Sequence, residues 1–160
     1  MASLYIRIYR DTLTVRNVDS KKEMTEQPEV PFTTTRLLLG QMIPAMKLLD
    51  RLVRKVAAKR LVDLFYSHNV IIHPMEMNEG GHSQVEFASY IELAKSISPQ
   101  GKHIYVCSKN MPLTDQEVIQ IFSGDMPSNV RRCALGEEPM PVQRDRNNQN
   151  QSRQEVNYRK

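Results

Sequence analysis

The chain has 160 residues, 40% hydrophobic and 25% charged, with a formal net charge of +4 and a pI near 9.1. That balance suits one ordinary globular domain and excludes collagen-like, disulfide-dense and wholly disordered chains. The mild positive charge fits a solvated surface with a basic tail and does not specify nucleic acid, anionic lipid or an acidic partner.

Leu4, Ile6 and Ile8 alternate with Tyr5, Arg7 and Tyr9, the period-two pattern of a half-buried strand. After Arg10-Asp11 the rhythm resumes at Leu13 and Val15, which predicts a hairpin with a tight turn. Residues 20–25 read as a third, weaker strand before Gln27-Pro28-Glu29-Val30-Pro31 breaks regular structure. Pro44 suits a helix's first turn. Met46, Leu49, Val53 and Val56 then fall at helical spacing, opposite Lys47, Asp50, Arg51, Arg54 and Lys55. A short further helical piece is expected over residues 61–65.

Val70-Ile71-Ile72 is a continuous apolar run, as for a strand covered on both faces. Ser83 with Glu86, and Thr114 with Glu117, have capping-box spacing, so each opens a helix. Val85, Ala88 and Ile91, with Leu93 and Ala94 after them, supply the first of these with apolar packing, and Leu113 with Val118 are placed as a hydrophobic staple at the second. Between these helices, Ile104-Tyr105-Val106-Cys107 reads as a strand. The expected organisation is an α/β domain over residues 1–124 and a polar C-terminal tail over 125–160, disordered or partly docked. The order βββαβαβα, a meander followed by right-handed crossovers, predicts a single mixed β-sheet with helices on its faces. That is the layout of a ribonuclease-H-like, or actin-like, half domain.

No stretch approaches the roughly eighteen consecutive apolar residues of a membrane span. The first residues also lack the apolar block of a signal peptide. Cys107 lies in an apolar run and Cys133 follows Arg131-Arg132. A disulfide framework is therefore not expected, and a cytoplasmic location is.

Two segments resemble known families. Leu4-Tyr5-Ile6-Arg7-Ile8, Leu13-Thr14-Val15-Arg16-Asn17 and Asp19-Ser20-Lys21-Lys22-Glu23 resemble the opening of the enterobacterial YjaA stress-response family. The run Met75-Glu76-Met77-Asn78-Glu79-Gly80-Gly81-His82-Ser83-Gln84-Val85-Glu86 resembles that family's Glu-Met-Asn-Glu-Gly-Gly-x-Ser-Gln-Val-Glu block. The resemblance covers residues 3 to 123 and implies a bacterial cytoplasmic protein tied to stress response. It implies no chemistry at any residue. A fainter similarity runs to the first half domain of MreB-type actin-like proteins, where Thr-Gln-Val-Glu matches Ser83-Gln84-Val85-Glu86. Their Asp-x-Gly-Thr phosphate loop is Tyr9-Arg10-Asp11-Thr12 here, and their Glu-Pro motif is Lys109-Asn110-Met111-Pro112. Those departures argue against ATP hydrolysis.

Each candidate chemistry competes with a plainer role. Gly80-Gly81 before a helix could offer amides to an anion, yet Glu76 and Glu79 stand beside it and no P-loop lysine is present. The glycines read better as a strand-to-helix turn. Metal catalysis by carboxylates needs an acid from the first strand, which has none. His68, His73, His82 and His103 lack ligand spacing. Lys47, Arg51, Arg54 and Lys55 form a basic band without interleaved aromatics.

The sequence thus favours a non-catalytic interaction or regulatory protein with no cofactor and no metal. Its candidate contact loop is Glu76, Met77, Asn78, Glu79, Gly80 and Gly81, and its expected partner is a protein. The rival readings are a degenerate or dimer-completed nucleotide-binding enzyme and a nucleic-acid binder using the basic helix.

Overall fold

A computed structural model describes residues 2–57, 68–100 and 103–133. Six described strands form one mixed sheet in the order β3-β2-β1-β4-β5-β6. The strands are β1 (Ser3–Tyr9), β2 (Thr12–Asn17), β3 (Lys22–Glu26), β4 (Asn69–Pro74), β5 (Ile104–Cys107) and β6 (Val130–Arg132). The β1–β4 and β4–β5 pairs are parallel, and the others are antiparallel. Three described helices complete the fold: α1 (Met42–Val56), α2 (Gln84–Lys95) and α3 (Asp115–Phe122). The α/β class with a single mixed sheet is therefore as expected.

Strand alternation splits the core in two. Leu4, Ile6, Ile8, Leu13, Val15, Val70, Ile72, Ile104 and Val106 pack with α1 and α2 on one face. Tyr5, Ile71, Tyr105 and Cys107 pack with α3 residues Val118 and Ile121 on the other. The central strand β4 feeds both clusters, which is why it reads as an unbroken apolar run. On α1 the buried stripe is Ala45, Leu48, Leu49, Leu52, Val53 and Val56, with Met46 only half-buried. Both capping boxes are formed, and Leu113 and Val118 are buried in the second cluster.

Three expectations need correction or limits. The chain assigned to the tail from residue 125 instead contributes β6, whose Val130 pairs with Cys107 and is buried. Its short, basic pattern carries little strand signal, and pairing with β5 supplies the order. Val85 and Ala88 do not pack inward: both are exposed, and α2 buries Tyr90, Ile91, Leu93 and Ala94. The helical piece at 61–65 and the chain from 134 onward lie outside the described residues.

Candidate functional site

In open α/β sheets, ligands usually sit beyond the carboxyl ends of strands where the connection changes direction. Here that place is the end of β1 and β4, parallel neighbours whose connections leave toward opposite edges of the sheet. Three segments converge there: the Arg10-Asp11 turn, the connector of residues 32–40, and the loop of residues 75–82.

The turn is latched on both sides. The Asp11 carboxylate accepts the Phe32 and Thr33 amides at 2.9 and 2.8 Å, and the Asp11 amide donates to the Thr33 hydroxyl at 2.9 Å. The Arg10 amide donates to the Glu76 carboxylate. The connector carries Phe32, Leu38 and Leu39 into the core and closes with Gly40, whose amide donates to the Phe32 carbonyl at 2.9 Å. A Cβ at Gly40 would lie 2.3 Å from a Thr34 carbon, so a larger residue there would have to displace the Thr34 side chain.

The loop after β4 is built outward from this latch. The Met75 amide extends the parallel ladder by donating to the Ile8 carbonyl at 2.8 Å. Met77 has φ +53 and packs, half-buried, against the main core. The Asn78 side-chain amide donates to the Pro74 carbonyl at 3.1 Å, and its backbone carbonyl accepts the Gly81 amide at 3.1 Å. Gly80 and Gly81, at φ +77 and +86, reverse the chain into α2, with open space around each. The glycines thus serve the turn.

Of the candidate loop residues, Glu79, Gly80 and Gly81 are exposed, whereas Glu76, Met77 and Asn78 are half-buried and hold the loop together. His82 stacks edge-on against Tyr90, with ring centroids 5.3 Å apart. Burial pulls its pKa down, partly offset by Glu86 and reinforced by Arg131.

The basic helix is less available than its sequence suggests. Arg51 bonds Glu26 at 2.8 Å and lies 3.7 Å from Glu29; Lys55 also grips Glu26. Arg54 pairs with Asp50 at 2.8 Å. Lys47 is exposed and lines a shallow groove with Ile43 and Pro44. Three of these four cations are therefore engaged with carboxylates.

Sequence reasoning missed a buried polar chain behind β1 and β4. The Leu113 amide donates to Tyr5 Oη at 2.9 Å, and Tyr5 Oη lies 2.8 Å from His73 Nδ1. His73 Nε2 lies 2.6 Å from the Lys109 carbonyl, which can only accept. The proton therefore sits on Nε2, and Nδ1 accepts the tyrosine hydroxyl. Burial keeps this imidazole's pKa below its ordinary value. Nothing in the local spacing of Tyr5, His73 and Leu113 signals the contact.

Among the described residues, no three His, Cys, Asp or Glu side chains gather as a metal site. Both cysteines are unpaired, with Cys107 buried and Cys133 half-buried. No described helix is long and apolar enough to cross a membrane.

Fold and site together define an α/β protein whose sheet end is closed by its own side chains. No protein-family model matches the chain, and no solved structure matches it. The chain is similar to the uncharacterized protein YjaA of Escherichia coli (strain K12), 36% identical over 89 residues. The match covers 54% of this chain and 68% of that protein. The chain belongs to the YjaA family.

Proposed function

We propose that this chain is a non-catalytic cytoplasmic interaction protein built on a ribonuclease-H-like, actin-like lobe. The observation that carries the reading is the sealed turn between β1 and β2. Its Arg10 and Asp11 amides, which a phosphate would need, are taken by the Glu76 carboxylate and the Thr33 hydroxyl. A triphosphate there would have to displace an anion already hydrogen-bonded in place and would meet its charge. The fold half of the proposal is supported by the strand order 3-2-1-4-5 with β2 running against its neighbours. The tie to MreB-type proteins rests on Ser83-Gln84-Val85-Glu86, and the stress-response role rests on the family resemblance.

The partner class is a protein. Its contact surface is the exposed tip Glu79-Gly80-Gly81 together with the outward side of α2, where Val85 is 64% exposed beside exposed Ala88. A small apolar centre with a polar rim is the usual anatomy of a protein contact. Nucleic acid fits less well, because Arg51, Arg54 and Lys55 would first have to leave their carboxylates.

Isothermal titration with Mg-ATP should give no binding heat, and micromolar binding would overturn the non-catalytic reading. A Glu79→Ala/Val85→Ala double variant tests the surface, since both side chains are exposed and the fold should be kept. Affinity capture from stressed bacterial lysate should show a protein retained by the wild type and lost by the variant. An identical profile would refute the surface.

A further inference from the structure

β3 ends the sheet. Its inner side pairs with β2, and no described strand pairs with its outer side. Four of its five residues are exposed. A free strand edge is a row of unpaired amides and carbonyls that templates another strand. Edges are commonly blunted by proline, a bulge, shortness or charge. Lys22-Glu23-Met24-Thr25-Glu26 is short and charged, but it has no proline, stays in unbroken register with β2, and carries charges of both signs.

We propose that a second copy of this chain pairs antiparallel with the outer edge of β3, about a two-fold axis at Met24, so that two sheets become one. A two-fold axis through such a pair must pass beside one residue that faces itself, because only then do side chains of the same sheet face meet. Centring on Lys22, Glu23 or Glu26 puts like charges directly opposite, which is destabilising. Centring on Thr25 sets Met24 against Glu26. Centring on Met24 is self-complementary: Lys22 of each copy faces Glu26 of the other, Glu23 faces Thr25, and methionine meets methionine.

The surroundings are compatible with that register. Glu26 is held by Arg51 and Lys55, and Arg51 is shared with Glu29, so two acids and two bases balance. An incoming Lys22 therefore meets no net positive charge from this cluster. Apolar surface lies on the same side of the molecule. Met24 is 38% exposed, Val30 59% and Ile43 68%. Val30 and Ile43 line a shallow groove of about 290 Å³ with Pro28 and Pro44, and Arg51 joins that groove to β3 by gripping Glu26. A five-residue strand pair falls well short of the roughly 800 Å² per partner of a standard interface. The dimer is therefore reversible and concentration-dependent, with the groove adding contact at its flank. This inference goes beyond the proposed function and does not depend on it.

Sedimentation equilibrium of the full chain should show a monomer–dimer equilibrium. Met24→Asp places like charges at the axis and should weaken the dimer about fivefold, with an unchanged circular dichroism spectrum. Facing Cα atoms in an antiparallel pair lie about 4.5–5.5 Å apart, within the roughly 4.4–6.8 Å that a disulfide spans. Met24→Cys should therefore give a covalent dimer under mild oxidant, its disulfide joining the substituted position of one copy to the same position of the other, as identified by peptide mapping. Glu29→Cys, at an exposed position off the axis, should not. A chain monomeric throughout, a dimer insensitive to Met24→Asp, or equal cross-linking by Glu29→Cys would each overturn the proposal.

Discussion

His73 has both ring nitrogens engaged in a buried setting, and this makes it the residue whose chemistry is most tightly set by the fold. Tyr5 is the hub: its hydroxyl accepts the Leu113 amide and donates to His73, joining β1, β4 and the segment before α3. Tyr5→Phe would leave the Leu113 amide and His73 Nδ1 without partners, at a cost of about 1–3 kcal/mol. Urea denaturation should show that loss as a lower midpoint with an unchanged slope. Protonation of His73 has a defined sign. Its folded pKa is depressed by burial, so the unfolded chain binds that proton more readily. The stabilisation is complete above the unfolded value of about 6.5 and is lost as the pH falls toward the folded one. His82 is depressed in the same direction by burial. Denaturation midpoints should therefore drop on acidification below about pH 6.5, and His73→Gln should reduce that dependence, since His82 still contributes. A midpoint flat with pH in the wild type would contradict this account.

At the scale of elements, the helices are fixed at their beginnings. Ser83 Oγ accepts the Glu86 amide at 3.2 Å while the Glu86 carboxylate accepts the Ser83 amide at 2.8 Å. Thr114 and Glu117 repeat the arrangement at 3.2 and 2.7 Å. The second box is reinforced from outside: Arg16 grips Asp115 with two bonds of 2.7 Å, and Lys109 holds Glu117 at 2.7 Å. The Arg16 guanidinium holds the Asp115 carboxyl below its usual range. That contribution is present above the ordinary carboxylate pKa and is lost as the pH falls through the folded value. Ser83→Ala and Thr114→Ala should each cost about 1 kcal/mol. The losses should differ in reach, because α2 begins on an exposed loop whereas α3 is tied to the sheet through Arg16 and Asp115. Hydrogen exchange should show fraying confined to the first turn of α2 in Ser83→Ala, and smaller fraying of α3 in Thr114→Ala. Equal fraying would mean that the ion pairs add nothing to α3.

For the whole molecule, β6 carries the described fold past residue 124. Val130 is buried, the Cys133 amide donates to the Ile104 carbonyl at 2.8 Å, and the Ser108 amide donates to the Asn129 carbonyl at 2.9 Å. A chain cut after residue 124 would bare the β5 edge and lose the burial of Val130, about 2 kcal/mol. A chain cut after residue 133 keeps both. Thermal melts should place the shorter chain several degrees below the longer one, and coincident melts would show β6 to be dispensable. The local signals were legible in the sequence because they act over three or four residues. The β1–β2 hairpin, both capping boxes, the doubly covered β4 and the glycine turn into α2 are all of this kind. A residue's burial within a helix was less legible: Val85 and Ala88 look apolar enough to pack, but the inward stripe follows Phe87, Tyr90, Ile91 and Ala94. Only the tertiary structure decided what closes the sheet end and what occupies the basic helix. Glu76 reaches Arg10 from 66 positions away, Tyr5 reaches Leu113 across 108, and Arg51 reaches Glu26 across 25. Such pairings depend on which strands become neighbours, and no periodicity along the chain encodes the distance between side chains that folding brings together.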